Sequence, residues 1–257
     1  MANRPDPLAP AAIRLRQAMA VTFRALVAEA PAILRVEEGE KRLAFDGQSA
    51  VIPGGALCLL PGGVPMEVEN RPGPSGRYAA TVLAIPPGVA CPEGPRRALF
   101  SRRPAALDAF DRAVTLHRRA GTPQAIRAHA VAEVLIWLAE DGVILPKSPP
   151  TVVERLRRVL AADLARDWTA ADAGRVLAMS EATLRRRLAE AGTGFADTLA
   201  DLRMTRALGL LQGSDLSVAA VAAEVGYASA SRFAARFRAR FGIAPGNLRG
   251  RQPVPAD

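Results

Sequence analysis

Apolar and polar positions alternate from Val21 through Phe23 and Ala25 to Val27, the two-residue period of a half-buried strand. The surrounding stretch, 19 to 30, is rich enough in alanine to be drawn as a helix, so the pattern leaves this element open. Short apolar runs follow at Ala32 to Val36, Ala50 to Ile52, Ala56 to Leu60, Met66 to Val68 and Tyr78 to Ile85. Between them stand Asp46-Gly47, Pro53-Gly54-Gly55, Pro61-Gly62-Gly63 and Pro72-Gly73-Pro74-Ser75-Gly76. Such punctuation predicts a small antiparallel barrel or sandwich.

A Pro/Gly-rich stretch from Pro86 to Pro104 closes this region, and the period then changes to that of helices. Leu107, Phe110 and Val114 share one helical face; after the Gly121-Thr122-Pro123 break, Ile126, Ala130, Val134 and Trp137 form another stripe. Val131, Leu135, Ile136 and Leu138 widen that stripe until the helix is apolar almost all round, so it needs covering on more than one side. Burial within its own domain and a homodimer seam both satisfy that need. Leu145 to Pro150, with three prolines, is a linker candidate.

Residues 169 to 192 and 218 to 241 repeat one pattern at an offset of 49. The offset carries Ala173 to Ala222, Val176 to Val225, Ser180 to Ser229, Leu184 to Phe233 and Leu188 to Phe237. In the second copy Ser217 caps a helix with Val218, Val221, Ala222 and Val225 inward, Gly226 supplies a left-handed turn, and Ser229 caps a helix with Phe233, Phe237 and Phe241 inward. In the first copy Thr169 and Ser180 are the caps, Ala173, Val176, Leu177, Leu184 and Leu188 are the expected core, and Leu177 stands where the second copy has Gly226. Two tandem helix-turn-helix units are implied. Phe195 to Gln212 reads as one connecting helix of roughly 27 Å at ~1.5 Å per residue. That length suits two recognition helices set in major grooves recurring about every 34 Å.

Charge sharpens this picture. Basic side chains exceed acidic by 34 to 25, and all but Lys41 and Lys147 are arginine. From Ser229 to Gln252 lie Arg232, Arg236, Arg238, Arg240, Arg249 and Arg251 with no acid, the footprint expected of a phosphate-binding face. The outward faces of the two second helices carry Ala182, Thr183, Arg185, Arg186 and Glu190, and Ser231, Arg232, Ala235, Arg238 and Ala239. Arg187 and Arg236 lie nearer the buried flank, where pairing with an acid is the alternative to DNA contact. The histidines, His117 and His129, fall in the helical segment and are expected at helix surfaces or an interface, so no metal site is expected in the β-region. Cys58 and Cys91 are expected as free, half-buried thiols; with no leader pattern or membrane-length apolar run, a cytoplasmic protein is expected.

Gly226-Tyr227-Ala228-Ser229-Ala230-Ser231-Arg232-Phe233, then Phe237-Arg238, Phe241-Gly242, Pro245 and Arg249, resemble the AraC/XylS family of bacterial transcriptional regulators. Leu202-Arg203-Met204, Ala207 and Leu210-Leu211 match that family's linker helix. The β-region, through Val36 to Gly39, Gly54-Gly55, Pro61 and Asn70, is loosely similar to the cupin-type sensory domain of many members. The resemblance implies base-contacting positions at Ala182, Arg185 and Arg186 in the first unit and Ala230, Ser231, Arg232 and Ala235 in the second. Ser180, Thr183, Ser229, Arg236 and Arg238 complete the expected DNA-binding set. Ala235 stands where arginine is common in the family, Arg236 comes one residue later, and Leu248 replaces an aromatic. Sequence reading is therefore expected mainly from the first unit and phosphate contact from the second.

The expected architecture is α+β: a cupin-like β-barrel over 1–103, a helical linker or dimerisation segment over 104–150, and an all-α domain with two helix-turn-helix units joined by a helix over 151–257. The expected function is sequence-specific transcriptional regulation, with duplex DNA, a second copy of the chain, RNA polymerase and a small effector as partners, no membrane and no cofactor. The effector is expected to be apolar or mildly acidic, since the strands are apolar and Arg24, Arg35, Lys41, Arg42, Arg71 and Arg77 offer charge for a carboxylate. A catalytic metal-free cupin with a helical appendage is the alternative, although no nucleophile elbow, phosphate loop or dinucleotide fingerprint is present. A nucleoid-like structural protein would bind DNA without sequence preference.

Overall fold

The computed structural model describes residues 12–92, 94–145 and 150–248. Nine strands come first: β1 (Ile13–Gln17), β2 (Val21–Val27), β3 (Ala32–Glu38), β4 (Glu40–Phe45), β5 (Gln48–Pro53), β6 (Leu57–Leu60), β7 (Pro65–Arg71), β8 (Tyr78–Ala84) and β9 (Phe100–Ser101). They form two antiparallel sheets, in orders β1-β8-β3-β6-β9 and β2-β7-β4-β5. The edges of the two sheets do not pair, so the expected closed barrel is corrected to two facing layers. The ambiguous stretch at 19–30 is a strand, broken by a register shift between Phe23 and Leu26 where Ala25 takes φ 48°.

Phe23, Leu34, Val36, Leu43, Ile52, Met66, Val68 and Tyr78 point between the layers and are buried. The alternate residues of the first sheet, Ile33, Leu57, Leu59 and Leu83, are also buried, because an antiparallel helix pair covers its outer face. That pair is α1 (Pro104–Arg118) and α2 (Gln124–Glu140). Its inward residues are Ala106, Phe110, Val114, Val131, Val134, Leu135 and Leu138. Ile126 and Ile136, both assigned to the apolar surface of α2, are 47% and 57% exposed. His117, expected at a helix surface or an interface, is buried: Nδ1 lies 2.8 Å from the Ala113 carbonyl, and burial lowers the imidazole pKa. His129 is exposed. Cys58 and Cys91 are free, one buried and one exposed rather than both half-buried. Residues 146–149 of the expected linker lie outside the described residues.

Six further helices complete the fold: α3 (Val152–Ala161), α4 (Ala170–Val176), α5 (Glu181–Glu190), α6 (Phe195–Gly213), α7 (Val218–Glu224) and α8 (Ala230–Phe241), followed by a 3-10 turn at Pro245–Asn247. The expected connector is present as α6, one residue longer than its sequence pattern. The helices α3, α4 and α5 pack on the first part of α6 around Leu156, Leu160, Trp168, Leu177, Leu184, Leu188 and Leu202. The α7–α8 unit differs, since its core of Val221, Val225, Phe233, Phe237 and Phe241 runs continuously into the interior of the β-layers. Phe241 and Phe23 meet edge to face at 5.4 Å between centroids, a contact worth about 0.5–1.5 kcal/mol beyond the area it buries. Gly213 permits the close approach of α6 to β1: a Cβ there would stand 2.4 Å from Cγ2 of Ile13. No helix among the described residues is long and apolar enough to cross a membrane.

Candidate nucleic-acid interface

Each short helix of the two units starts at a hydroxyl cap. The side chains of Thr169, Ser180, Ser217 and Ser229 accept from the backbone N–H of Asp172, Thr183, Ala220 and Arg232, as the sequence implied. The two units superpose with a shift in register, however. Their first caps, Thr169 and Ser217, are 48 positions apart, whereas the second caps, Ser180 and Ser229, are 49 apart. Backbone hydrogen bonds keep the 48 offset through the turn: Met179 N–H donates to Gly174 O and Tyr227 N–H to Ala222 O, both at 2.8 Å. The second turn is therefore one residue longer.

This shift corrects the core of the first unit. Leu177, not Val176, corresponds to Val225 and is buried, while Val176 corresponds to Glu224 and is 62% exposed. The left-handed residue that is Gly226 in the second turn, φ 80°, is Ala178 in the first, φ 56°. Gly174, not Ala173, stands where Ala222 does, and a Cβ on it would meet the Met179 carbonyl at 2.8 Å. The identical pairs Ala/Ala and Val/Val at an offset of 49 are coincidences of composition.

The second helices, α5 and α8, present the expected surface. Ala182, Arg185, Arg186, Ala230, Ser231, Arg232, Ala235, Arg236 and Arg238 are exposed; Ser180 is exposed, and Thr183 and Ser229 are partly covered. The Ser180 and Ser229 hydroxyls also meet those of Thr183 and Ser231, at 2.9 and 2.8 Å. The arginines of the two helices differ in their partners. Arg185 is held by Glu181 at 2.7 Å and Arg186 by Glu190 at 2.5 Å, one turn along the same helix. Arg232, Arg236 and Arg238 have no ion pair among the described residues, so the pairing alternative for Arg236 is not what the structure shows. Arg187, expected near the buried flank, is exposed, with Nη1 4.0 Å from the Met179 sulfur.

Arg240 departs from the expected phosphate row. Its guanidinium donates to Asp201 Oδ1 at 3.0 Å and to the Ala25 carbonyl at 2.9 Å, turning α8 toward the β-domain at its last turn. Arg249 and Arg251 lie outside the described residues.

A cavity of about 420 Å³ lies where the β-layers meet α6. Its wall is apolar apart from Lys41, Asn70, Thr205, Gln212 and the Glu29–Arg206 pair at 3.4 Å. Three of these join a buried polar chain that reaches behind the wall to Gln17: Lys41 Nζ donates to Asn70 Oδ1 at 2.6 Å, Asn70 Nδ2 to Gln17 Oε1 at 3.1 Å, and Gln212 Nε2 to the same Gln17 oxygen at 2.8 Å. Lys41 is 3% exposed, and burial pulls its ammonium down to about 8. Of the six cations expected to offer charge in this domain, Lys41 lines the cavity, whereas Arg35 pairs with Asp111 and Arg71 with Glu69. The sequence pattern marks neither Gln17 nor Gln212 as a polar cavity residue, and Asn70 enters it only through the loose cupin resemblance. The available signal for Gln17 is its phase, since it continues the inward alternation of Ile13 and Leu15.

Two capped helix-turn-helix units joined by a 19-residue helix define the class of the C-terminal half: a double helix-turn-helix module. Residues 173–251 match the family model described as a helix-turn-helix domain. The chain is 33% identical over 95 residues to the HTH-type transcriptional activator FapR of Escherichia coli, covering 37% of this chain and 36% of FapR. It is 33% identical over 122 residues to the HTH-type transcriptional regulator GadX of Escherichia coli K12, covering 46% of this chain and 44% of GadX. The matches thus span about a third to a half of these relatives. Over 95% of this chain, and 96% of the other, the fold is similar to unsaturated fatty acid bound wild-type ToxT from Vibrio cholerae, with a TM-score of 0.64 and 14% identity. Residues 173–251 are thus similar to a helix-turn-helix domain found in transcriptional regulators, and with the two-layer β-domain ahead of them the chain has a fold similar to that of ToxT.

Proposed function

We propose that this chain is a sequence-specific, DNA-binding transcriptional regulator of the AraC/XylS type, acting in the cytoplasm. The observation that carries the reading is the repeated cap–helix–turn–cap–helix unit, each copy displaying arginines on the exposed face of its second helix. Base edges are read chiefly by Arg185 and Arg186, with Ala182 and Thr183 giving close approach. The surface of Ala230, Ser231, Arg232, Ala235, Arg236 and Arg238 contributes three arginines without acid partners among the described residues, suited to phosphate. Freeing Arg185 and Arg186 from Glu181 and Glu190 costs little, because such exposed pairs contribute only about 0.3–0.5 kcal/mol.

The division into a sensory part over 1–103, a helical segment over 104–150 and a DNA-binding part over 151–257 belongs to the same reading. Exposed Ile126 and Ile136 make α2 the face for a second copy of the chain, and RNA polymerase is the further partner of a regulator. The cavity beside Lys41 takes a small effector, apolar along most of its length; the fatty acid bound by structurally similar ToxT supports that choice of chemistry.

A gel shift with the full chain tests the central reading. Salt-sensitive binding to its own upstream DNA that survives excess bulk competitor is expected. Absence of binding to any duplex at low salt would favour the cupin-enzyme alternative, and binding without preference would favour a nucleoid-like protein.

A further inference from the structure

Lysine is scarce in this chain. Of its 34 basic side chains only Lys41 and Lys147 are lysine, and among the described residues Lys41 is the only one. Lys41 sits at a buried position in the wall of the cavity, on β4. For gripping a carboxylate, arginine is the better residue, since its planar fork donates two parallel hydrogen bonds and keeps its charge when buried. What lysine offers and arginine does not is a neutral, nucleophilic amine.

Burial in the cavity wall, 3% exposed, favours that neutral form. No carboxylate pairs with it among the described residues; its hydrogen-bond partner is the amide oxygen of Asn70, at 2.6 Å. Against that, its Nζ lies 5.5 Å from the ring centroid of Tyr78, a weak pull toward the ammonium; the Tyr78 hydroxyl itself is buried without a partner among the described residues. Burial also holds the Tyr78 phenol well above its ordinary pKa, so it brings no phenolate charge to restore the ammonium. The nearby Cys58 thiol, pushed up to about 12, brings no negative charge to restore the ammonium.

We propose that Lys41 takes an aliphatic aldehyde from the cavity as a reversible imine, so that the site senses a reactive carbonyl by covalent capture. The inference rests on the reading of this cavity as an effector site. In the step, the Nζ lone pair attacks the carbonyl carbon and forms the C–N bond. The carbonyl oxygen takes the two amine protons and departs as water, leaving C=N with no change in oxidation state. The apolar wall favours loss of that water, and about 420 Å³ accommodates a medium-length alkyl chain.

Incubating the full chain with octanal and cyanoborohydride near neutral pH, then mapping peptides by mass spectrometry, tests the proposal. With its ammonium near 8 rather than 10.5, Lys41 has a neutral fraction roughly two orders of magnitude above that of an ordinary lysine. Faster alkylation at Lys41 than at Lys147, lost in a folded Lys41→Arg chain, is the expected result. Labelling at Lys41 no faster than at Lys147 in the folded natural chain overturns it, independently of how the variant folds. A parallel melting experiment with octanoate separates the two readings. If octanoate stabilises the chain and octanal leaves Lys41 unmodified, the imine falls and the effector cavity stands; if neither binds, both fall.

Discussion

Arg240 of α8 donates a hydrogen bond to the carbonyl oxygen of Ala25 in β2 at 2.9 Å, so the second helix of the second unit is held at its end by the N-terminal domain. Ala25 reaches that position through the register shift between Phe23 and Leu26, with its own φ at 48°. Asp201 of α6 accepts a second bond from the same guanidinium. Arg240→Ala should cost about 1–2 kcal/mol and raise amide exchange in β2 and in the last turn of α8, leaving α5 unchanged. Hydrogen-exchange mass spectrometry checks this; equal changes in α5 would mean that the two units loosen together.

Ala178 and Gly226 hold the same left-handed position in the two turns, at φ 56° and 80°. Ala178→Gly should stabilise the chain by about 0.5–1 kcal/mol, because the strain on the Cβ exceeds the extra chain entropy. Gly226→Ala should destabilise it by more than that, since its Cβ would also meet the Leu164 carbonyl and the Arg203 guanidinium, each at 2.8 Å. Denaturant melts of both variants give the signs directly.

The contrast between those turns also shows what could be seen in advance. Caps, core phenylalanines and the connector helix were legible because each has a local signature: a hydroxyl before a helix, or a period of three to four. The one-residue difference between the turns was hidden, since Ala178 adopts a conformation for which Gly226 is the usual sign. The strand β4 escaped the pattern because its buried face includes Lys41, and β1 because Gln17 ends its apolar alternation. The division of the β-strands into two sheets, and the burial of Phe241 against Phe23, depend on distant pairings that no local period encodes. The acid partners of Arg185 and Arg186 were in plain view one turn away on the same helix.

Lys41 should leave a signature in stability against pH. Its pKa falls from 10.5 to about 8 on folding, so between those values the unfolded chain binds the extra proton and stability rises with pH. Below about 8 the buried ammonium costs on the order of 3 kcal/mol relative to its neutral form, a cost relieved as pH climbs through the window. Cys58 and Tyr78, both raised above their ordinary values by burial, act with the opposite sign from about pH 9 and 10 upward, and do so equally in the natural chain and in a variant at position 41, so the difference between the two isolates Lys41. Melts of the natural chain and of Lys41→Met should converge toward high pH, with the variant more stable at neutral pH; parallel curves would contradict the burial of a titrating amine.

The most direct test of the account is the affinity of the full chain for its specific site and for random duplex, measured across salt concentrations with Arg185→Ala, Arg186→Ala and Arg238→Ala. If α5 reads base edges, the first two changes should each cost about 1–3 kcal/mol on the specific site and relax preference at one base pair, with smaller losses on random DNA. Arg238→Ala should weaken both duplexes alike and reduce the salt slope by about one unit. Equal losses on specific and random DNA for all three changes would contradict the division of base and phosphate contact between α5 and α8.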